Sequence, residues 1–336
     1  MTKAEELEKL FEEYKEIGID RQIDYDKFYL YSIITHSTAI EGSTVTELEN
    51  QLLFDQGITA SGRTLAEQMM NLDLKAAYEK SMEYASAKKD ITIDVLKTLS
   101  SIVMKNTGSI YKTALGEFSS ANGDLRLLNV TAGIGGRSYM SYAKVPAKLK
   151  EFCDSLNEQR KKVGRKSVAE KYIMSFDAHY NLVTIHPWAD GNGRMARLLM
   201  NMLQFENGLI PTKILKEDKG EYIKALVATR ENENLDIFRN FMLDVMIGNL
   251  KNDIQSYLDS TEIHPTKTAK RGKSREKILG LLSEDNTLTT ATLASQLGIS
   301  PKAVEKHLAN LKRAGLLKRV GPDKGGHWEV VKPFDS

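Results

Sequence analysis

The sequence predicts a mainly α-helical protein with one short β-hairpin and a small basic module toward its C-terminal end. Three observations carry this. Apolar residues recur at the 3.6-residue helical period over most of the first 258 positions. A glycine-rich stretch at about 124–145 interrupts that pattern. The charge also splits: residues 1–262 hold 33 basic and 38 acidic side chains and residues 263–336 hold 14 and 7, so a net −5 gives way to +7. The join at 260–277 is polar, contains Pro265 and Gly272 and lacks an apolar period, which predicts a linker over 259–273.

Each element follows from local pattern. A first helix over about 4–17 places Leu7, Leu10, Phe11 and Tyr14 on one face and acids on the other. A second runs from about Asp26 to Ile40, with Gly42 as its stop. Thr46 and Glu49 have capping-box spacing and open a third, which carries Leu52, Leu53 and Phe54. Helical periods return near 65–87, 92–105, 147–161, 168–184, 194–207, 219–229 and 234–258. Residues 125–130 and 137–140 flank Gly133, Gly135 and Gly136, which predicts the hairpin. Beyond the linker, 275–282 and 290–297 read as helices and 298–300 as a turn. Pro301 then opens a third helix to about 314, with Val304, Leu308 and Leu311 inside. Stretches 315–321 and 327–332 read as strands.

Composition excludes several classes. A length of 336 residues with 41 % hydrophobic content allows two or three domains with true cores. Charged residues of mixed sign, at 27 %, argue against disorder, and the single Cys153 excludes a disulfide scaffold or a cysteine zinc cluster. The acidic first turns lack the apolar block of a signal peptide and no run of 18 apolar residues occurs, so a soluble cytoplasmic protein is expected.

The segment from His186 to Arg197, HPWADGNGRMAR, carries the chemistry. Gly191, Asn192 and Gly193 tolerate left-handed dihedrals, so successive N–H groups can line one concavity, and a helix opening near Arg194 adds its positive end. That is an anion site suited to phosphates. Arg194 and Arg197, three apart, share a face and can grip further phosphate oxygens as forks. Asp190 is an oxygen ligand suited to Mg²⁺. His186 can take a proton from an incoming hydroxyl.

This segment resembles the Fic signature HPFxDGNGRxxR, with Trp188 where phenylalanine is usual. The resemblance covers about 30–250 and implies a Fic-type helical domain. Fic enzymes mostly move AMP from ATP to a Ser, Thr or Tyr hydroxyl of a protein. It implies His186 as base, Asp190 as Mg²⁺ ligand, Gly191, Asn192, Gly193 and Arg194 as phosphate binders, and Arg197 on the terminal phosphate. The run from Ile134 to Arg137 followed by Ala143 to Pro146 resembles the Fic flap, with Gly135 and Gly136 against the nucleotide and an edge open to strand addition by the target. Ala147 stands where a second proline is usual. Tyr222 occupies the place of a tyrosine near the adenine. Ser37 and Glu41 match the inhibitory motif (S/T)xxxE(G/N), and four apart they share a helix face. A glutamate paired with Arg197 would take the fork that the terminal phosphate needs, so that ATP, if it entered, would sit with its α-phosphate turned away from attack. In some Fic enzymes the same glutamate also serves AMP removal.

The C-terminal module resembles a winged helix-turn-helix. Lys302, Lys306, His307, Asn310 and Arg313 are candidates on its reading helix, with Lys318, Arg319 and Lys324 near the wing. Dimer contacts or protein docking are the alternative use of such a module. The expected organisation is thus 1–110 as an N-terminal helical region with the inhibitory motif, 111–258 as Fic core, 259–273 as linker and 274–336 as winged helix. The expected function is an autoinhibited protein adenylyltransferase using ATP and Mg²⁺. Its candidate partners are a hydroxyl-bearing target, the chain itself, DNA and a second copy of the chain. The alternatives are a DNA-binding regulator whose Fic-like domain senses nucleotide, or a Fic enzyme with another phosphate-containing donor or with AMP-removing activity.

Overall fold

The computed structural model of the chain describes residues 1–22, 24–132, 137–297, 304–305, 307–308, 311–312, 317–320 and 327–330, without the side chains of 261–277, 284 and 295. It divides into two compact units, 1–254 and 255–336.

The first unit is built on helices α1 (Lys3–Glu16), α2 (Tyr25–Ile40), α3 (Glu47–Gln56), α4 (Leu65–Ser86) and α5 (Ile93–Val103), a hairpin of β1 (Ile110–Thr113) and β2 (Gly116–Ser119), then α6 (Val145–Lys161), α7 (Val168–Ile185), α8 (Asn192–Glu206) and α9 (Lys219–Asn232). Helix α10 (Leu235–Glu284) follows. Capping boxes open α1 at Thr2, α3 at Thr46, α4 at Thr64 and α7 at Ser167, each closed by a glutamate three residues on, so these starts are fixed locally.

Helix α8 is the centre. Met195, Ala196, Leu198, Leu199, Met200, Met202 and Leu203 are all fully buried, and a helix apolar on every side belongs inside a core. Helices α2, α4, α5 and α7 pack against it. The regions 1–110 and 111–258 therefore share one core. Several of its buried polar groups pair with one another: Tyr78 donates to Asn201 Oδ1 at 2.7 Å, and Gln204 Nε2 donates to Ser175 Oγ at 2.9 Å and Thr212 Oγ1 at 3.0 Å. A second buried network fixes the C-terminal end of α2. Thr38 donates to Asn71 Oδ1 at 2.8 Å, and Asn50 Nδ2 donates to that same oxygen at 2.9 Å and to Thr35 Oγ1 at 2.8 Å.

Three expectations change. The hairpin β1–β2, registered Ile110↔Ser119 to Thr113↔Gly116, lies in a stretch where no strand was expected. Of the expected hairpin around 125–140, the described residues show one bridge, Thr131↔Ser138, with Tyr139 N–H to Val130 O at 3.0 Å and Ala132 N–H to Arg137 O at 3.1 Å. The stretch 259–273, expected as a linker, runs as the middle of α10. Ala269, Lys267, Lys270 and Arg271 favour a helix there while Pro265 and Gly272 oppose one, so local propensity alone does not account for it.

The second unit contains the end of α10, α11 (Thr290–Leu297) and an antiparallel pair, β3 (Leu317–Val320) and β4 (His327–Val330), registered Leu317↔Val330 to Val320↔His327. Its own core gathers Ile278, Leu282, Leu293, Val304, Leu308 and Leu317, with Trp328 packed against it. The Arg319 guanidinium lies 4.9 Å from the centre of the Trp328 ring. Lys302, Lys306, Asn310, Arg313 and Lys324 lie outside the described residues. No helix among the described residues is long and apolar enough to cross a membrane.

Candidate active site

Helix α7 ends on His186, whose backbone turns left-handed at φ 53° and ψ 61°. Such a conformation costs a non-glycine residue about 1–2 kcal/mol, so its surroundings must hold it. They do. Its N–H donates to Leu182 O at 3.0 Å, its own carbonyl accepts from Arg126 Nε at 2.7 Å, and Nδ1 lies 3.1 Å from Val183 O. A carbonyl only accepts, so Nδ1 carries the proton and Nε2 keeps a lone pair. Burial lowers the imidazole pKa to about 4, and the ring is neutral at pH 7. The Tyr139 ring lies flat on it, centroids 3.8 Å apart and planes within 16°.

The loop that follows is pinned from within. Trp188 is fully buried and donates Nε1–H to Gly123 O at 3.1 Å. Its backbone N–H donates to Asn192 Oδ1 at 3.1 Å, and Asn192 Nδ2 donates back to Trp188 O at 2.9 Å. Asn192 is thus committed to shaping the loop by its side chain. Gly191 has φ +80°, and a Cβ there would stand 2.7 Å from Met104 Sδ, so only glycine fits on both counts. Helix α8 starts at Asn192, and its first-turn N–H groups have no intrahelical acceptor.

The Glu41 carboxylate lies against that first turn. Its Oε1 is 2.6 Å from where a Cβ on Gly193 would stand. Arg197, 3 % exposed, donates Nη2–H to Glu41 Oε1 at 2.5 Å and to Ser37 O at 3.0 Å, and Nε–H to Ser37 Oγ at 2.8 Å. The structure therefore brings Ser37, Glu41, Gly193 and Arg197 together across more than 150 residues of sequence. Burial works against both charges, but each outweighs it for the other. The Glu41 carboxyl sits below its ordinary pKa, helped also by Arg194 and Lys219, and Arg197 sits above its own. The Glu41 side chain stays 32 % exposed, so this pair is reachable from solvent.

Arg194 is buried, with Nη2 3.0 Å from Met104 Sδ and Nη1 3.4 Å from Val103 O, and its Nε is a buried donor without an acceptor among the described residues. Asp190 is 57 % exposed at its side chain; its Oδ1 accepts from Gly191 N–H at 2.6 Å and lies 3.9 Å from Arg194 Nη2. Tyr222 corrects an expectation. It is 2 % exposed, its hydroxyl is 3.0 Å from His179 Nε2, and it packs against Arg197 within the core. Gly135 and Gly136 lie outside the described residues. A cavity of about 370 Å³ opens beside His186, lined among others by Tyr139, Tyr180, Val183, Ile223, Leu226 and Arg230.

Sequence reasoning missed Arg126 and Tyr139 as site residues. Arg126 reads as an ordinary cation within an alternating Leu-Arg-Leu, and Tyr139 as one more strand aromatic. Only the meeting of segments distant in sequence, 60 residues apart for Arg126, puts them against His186.

An imidazole at a helix-to-helix turn, a helix first turn with unpaired N–H groups behind it and a glutamate held on the buried arginine fit the arrangement that the Fic signature implies. Residues 90–204 match the Fic/DOC family model, and residues 272–318 match the model described as winged helix-turn-helix DNA-binding. The chain is 25 % identical over 270 residues to protein adenylyltransferase fic-1 of Caenorhabditis briggsae, covering 77 % of this chain and 48 % of that protein. It is 27 % identical over 202 residues to protein adenylyltransferase Fic of Drosophila melanogaster, covering 60 % and 37 %. The chain thus spans about half or less of the length of these curated relatives. A Fic domain containing signaling protein from Bacteroides thetaiotaomicron superposes with a TM-score of 0.62 at 22 % identity, over 74 % of this chain and 97 % of that one. A Fic family protein from Desulfovibrio desulfuricans does so with a TM-score of 0.62 at 17 % identity, over 99 % and 96 %. The fold is thus that of a Fic-type helical domain, and the C-terminal segment is similar to a winged helix-turn-helix.

Proposed function

We propose that the chain transfers AMP from ATP to a hydroxyl side chain of a protein, itself included, and that Glu41 restrains this activity from within. The observation that carries the reading is the Glu41–Arg197 pair seated on the first turn of α8, in the same site as a neutral imidazole with a free Nε2. The names of the curated relatives support the reaction class.

In this account the first-turn N–H groups of α8, with Arg194 and Arg197, bind the polyphosphate of ATP. Arg197 takes the terminal phosphate in place of Glu41. The cavity beside His186 accepts the nucleoside, its apolar walls facing the base. His186 Nε2 removes the proton of the target hydroxyl as its oxygen attacks the α-phosphorus. The new P–O bond forms as the bond to the β-phosphate oxygen breaks, and pyrophosphate leaves.

Asp190 would hold the magnesium ion. Its carboxylate is open, and among the described residues no three His, Cys, Asp or Glu gather to hold a metal unaided. One carboxylate completed by substrate phosphates is how Mg²⁺ is usually held, and the ion would offset the polyphosphate charge.

Autoinhibition follows from competition. A carboxylate on the Arg197 fork excludes a phosphate from it and repels one nearby. The test is transfer of α-labelled AMP from ATP with Mg²⁺, following the chain itself and proteins of a cell extract. Glu41→Gly is expected to raise labelling strongly, and His186→Ala to abolish it in that background. Equal labelling by wild type and Glu41→Gly overturns the brake, and persistence of labelling in the double variant overturns the base.

For the second unit we propose contact with DNA. Its match to a DNA-binding winged helix and the exposed Lys318 on β3 favour this.

A further inference from the structure

We infer that Arg126 is the positioning residue of the imidazole base: one buried guanidinium holds the backbone beneath His186 and beneath the flap at once, and so sets Tyr139 flat against the ring. The inference rests on the reading of His186 as base.

The Arg126 side chain is unusual in what satisfies it. It is 1 % exposed, yet among the described residues its acceptors are backbone carbonyls and no carboxylate pairs with it. Nε donates to His186 O at 2.7 Å, Nη1 to Leu128 O at 2.7 Å and Nη2 to Met140 O. Its own N–H donates to Pro187 O at 3.0 Å. A buried cation without a counter-ion is costly, and burial pulls its pKa down. A leucine would fill the space without that cost. What a leucine lacks is a rigid planar fork with donors pointing three ways.

Those three directions have a common product. His186 is held at the C-terminal end of α7, and Met140 adjoins Tyr139. The two stacked rings therefore stand one on each of two backbone segments gripped by the same guanidinium. The carbonyl held at His186 belongs to the residue with φ 53°, so the clamp also secures the left-handed turn that directs the imidazole. The grip at Met140 sets the height of the flap, alongside the Thr131–Ser138 bridge, its two backbone hydrogen bonds and Tyr142 N–H to Asn129 Oδ1 at 3.0 Å. The imidazole thus has its backbone fixed by Arg126, its Nδ1 by Val183 O and its face by Tyr139. Nε2 is left as the reacting atom.

A residue that acts through geometry lowers turnover and largely leaves substrate binding. In the Glu41→Gly background, Arg126→Gln is expected to lower kcat on the order of 10²-fold, as misplacement by about 1 Å can do, and to raise KM for ATP by far less, through Tyr139 on the cavity wall. Arg126→Lys, which keeps charge and some donors, is expected to recover part of that loss. Tyr139→Leu is expected to lower kcat as well, and combining it with Arg126→Gln should cost little more than the larger single loss, because both act on one ring. A loss in KM alone, or losses that multiply, overturns the inference.

Amide hydrogen exchange gives a readout independent of transfer. Arg126→Lys in the otherwise wild-type chain should speed exchange together in peptides covering 137–142 and 184–190, with α4 and α8 unchanged. Unaltered exchange in either segment refutes the clamp even if no transfer is measured. Absence of transfer by Glu41→Gly with the exchange result as expected would instead refute the proposed reaction and keep the clamp as a property of the loop. If Arg126→Gln does not fold, Arg126→Lys alone decides by the same kcat and exchange comparisons.

Discussion

Removing the Glu41 carboxylate should weaken the fold and strengthen ATP binding, two effects of opposite sign from one substitution. In the structure Arg197 is 3 % exposed and loses one of its three acceptor contacts in Glu41→Gly, keeping Ser37 Oγ and Ser37 O. Breaking a buried pair typically costs about 3–5 kcal/mol. With the serine contacts retained and Glu41 32 % exposed, about 2–3 kcal/mol is expected. For a unit of this size that is a fall in Tm of about 4–10 °C. The same free energy opposes ATP in the wild type, because the terminal phosphate must displace Glu41. The variant should therefore bind ATP about 30- to 160-fold more tightly. Thermal unfolding with and without ATP and Mg²⁺ reads both: a lower Tm for the unliganded variant and a larger ligand-induced rise. Equal Tm values without ligand, or equal rises with it, would refute the competition for Arg197.

Other outcomes follow from the same geometry. Burial disfavours the imidazolium of His186 and sets its pKa at about 4, so kcat/KM of Glu41→Gly should hold nearly level from pH 8 to about 5.5 and fall only below, by protonation of Nε2; an acid limb at pH 6–7 contradicts this. His179 is fully buried with its pKa lowered to about 3, so the unfolded chain takes up its proton first as pH falls below about 6.5 and stability drops. Its share of the loss between pH 7 and pH 5 is about 2 kcal/mol, and urea unfolding of His179→Phe should lack that share. A Cβ on Gly193 would stand 2.6 Å from where Glu41 Oε1 now lies, too close for a phosphate oxygen in that place, so Gly193→Ala in the Glu41→Gly background should weaken ATP binding by at least about tenfold in calorimetry. The full chain should retain a DNA duplex with an affinity that falls steeply with salt, and replacing Lys302, Lys306 and Arg313 with alanine should flatten that slope.

The parts of the molecule that local sequence encodes were legible, and those that need distant segments to meet were not. The Thr46–Glu49 box and the helical periods depend on neighbours three or four apart, and α3 begins where that box placed it. The turn from His186 to Arg197 was legible for the same reason, since its glycines and arginines act within one loop. The spacing of Ser37 and Glu41 gave their shared helix face, but the contact with Arg197 depends on how α2 packs on α8. The strands β1 and β2 have four residues each and bury mainly Phe118 and Ser119, too little alternation to register. Tyr222 illustrates the limit differently. Its helix was expected at the right place, yet α9 by itself does not say whether that face meets solvent, cavity or core. His179 and Phe238, from α7 and α10, enclose it.

The most direct measurement is a crystal structure of Glu41→Gly combined with His186→Ala, grown with ATP and Mg²⁺ so that the donor is not consumed. The account predicts the triphosphate along the first turn of α8, its terminal phosphate on Arg197 where the Glu41 carboxylate lay, and its α-phosphorus facing the vacated imidazole position. Nucleotide bound elsewhere, with that turn free of phosphate and Arg197 held by Ser37 alone, would contradict it.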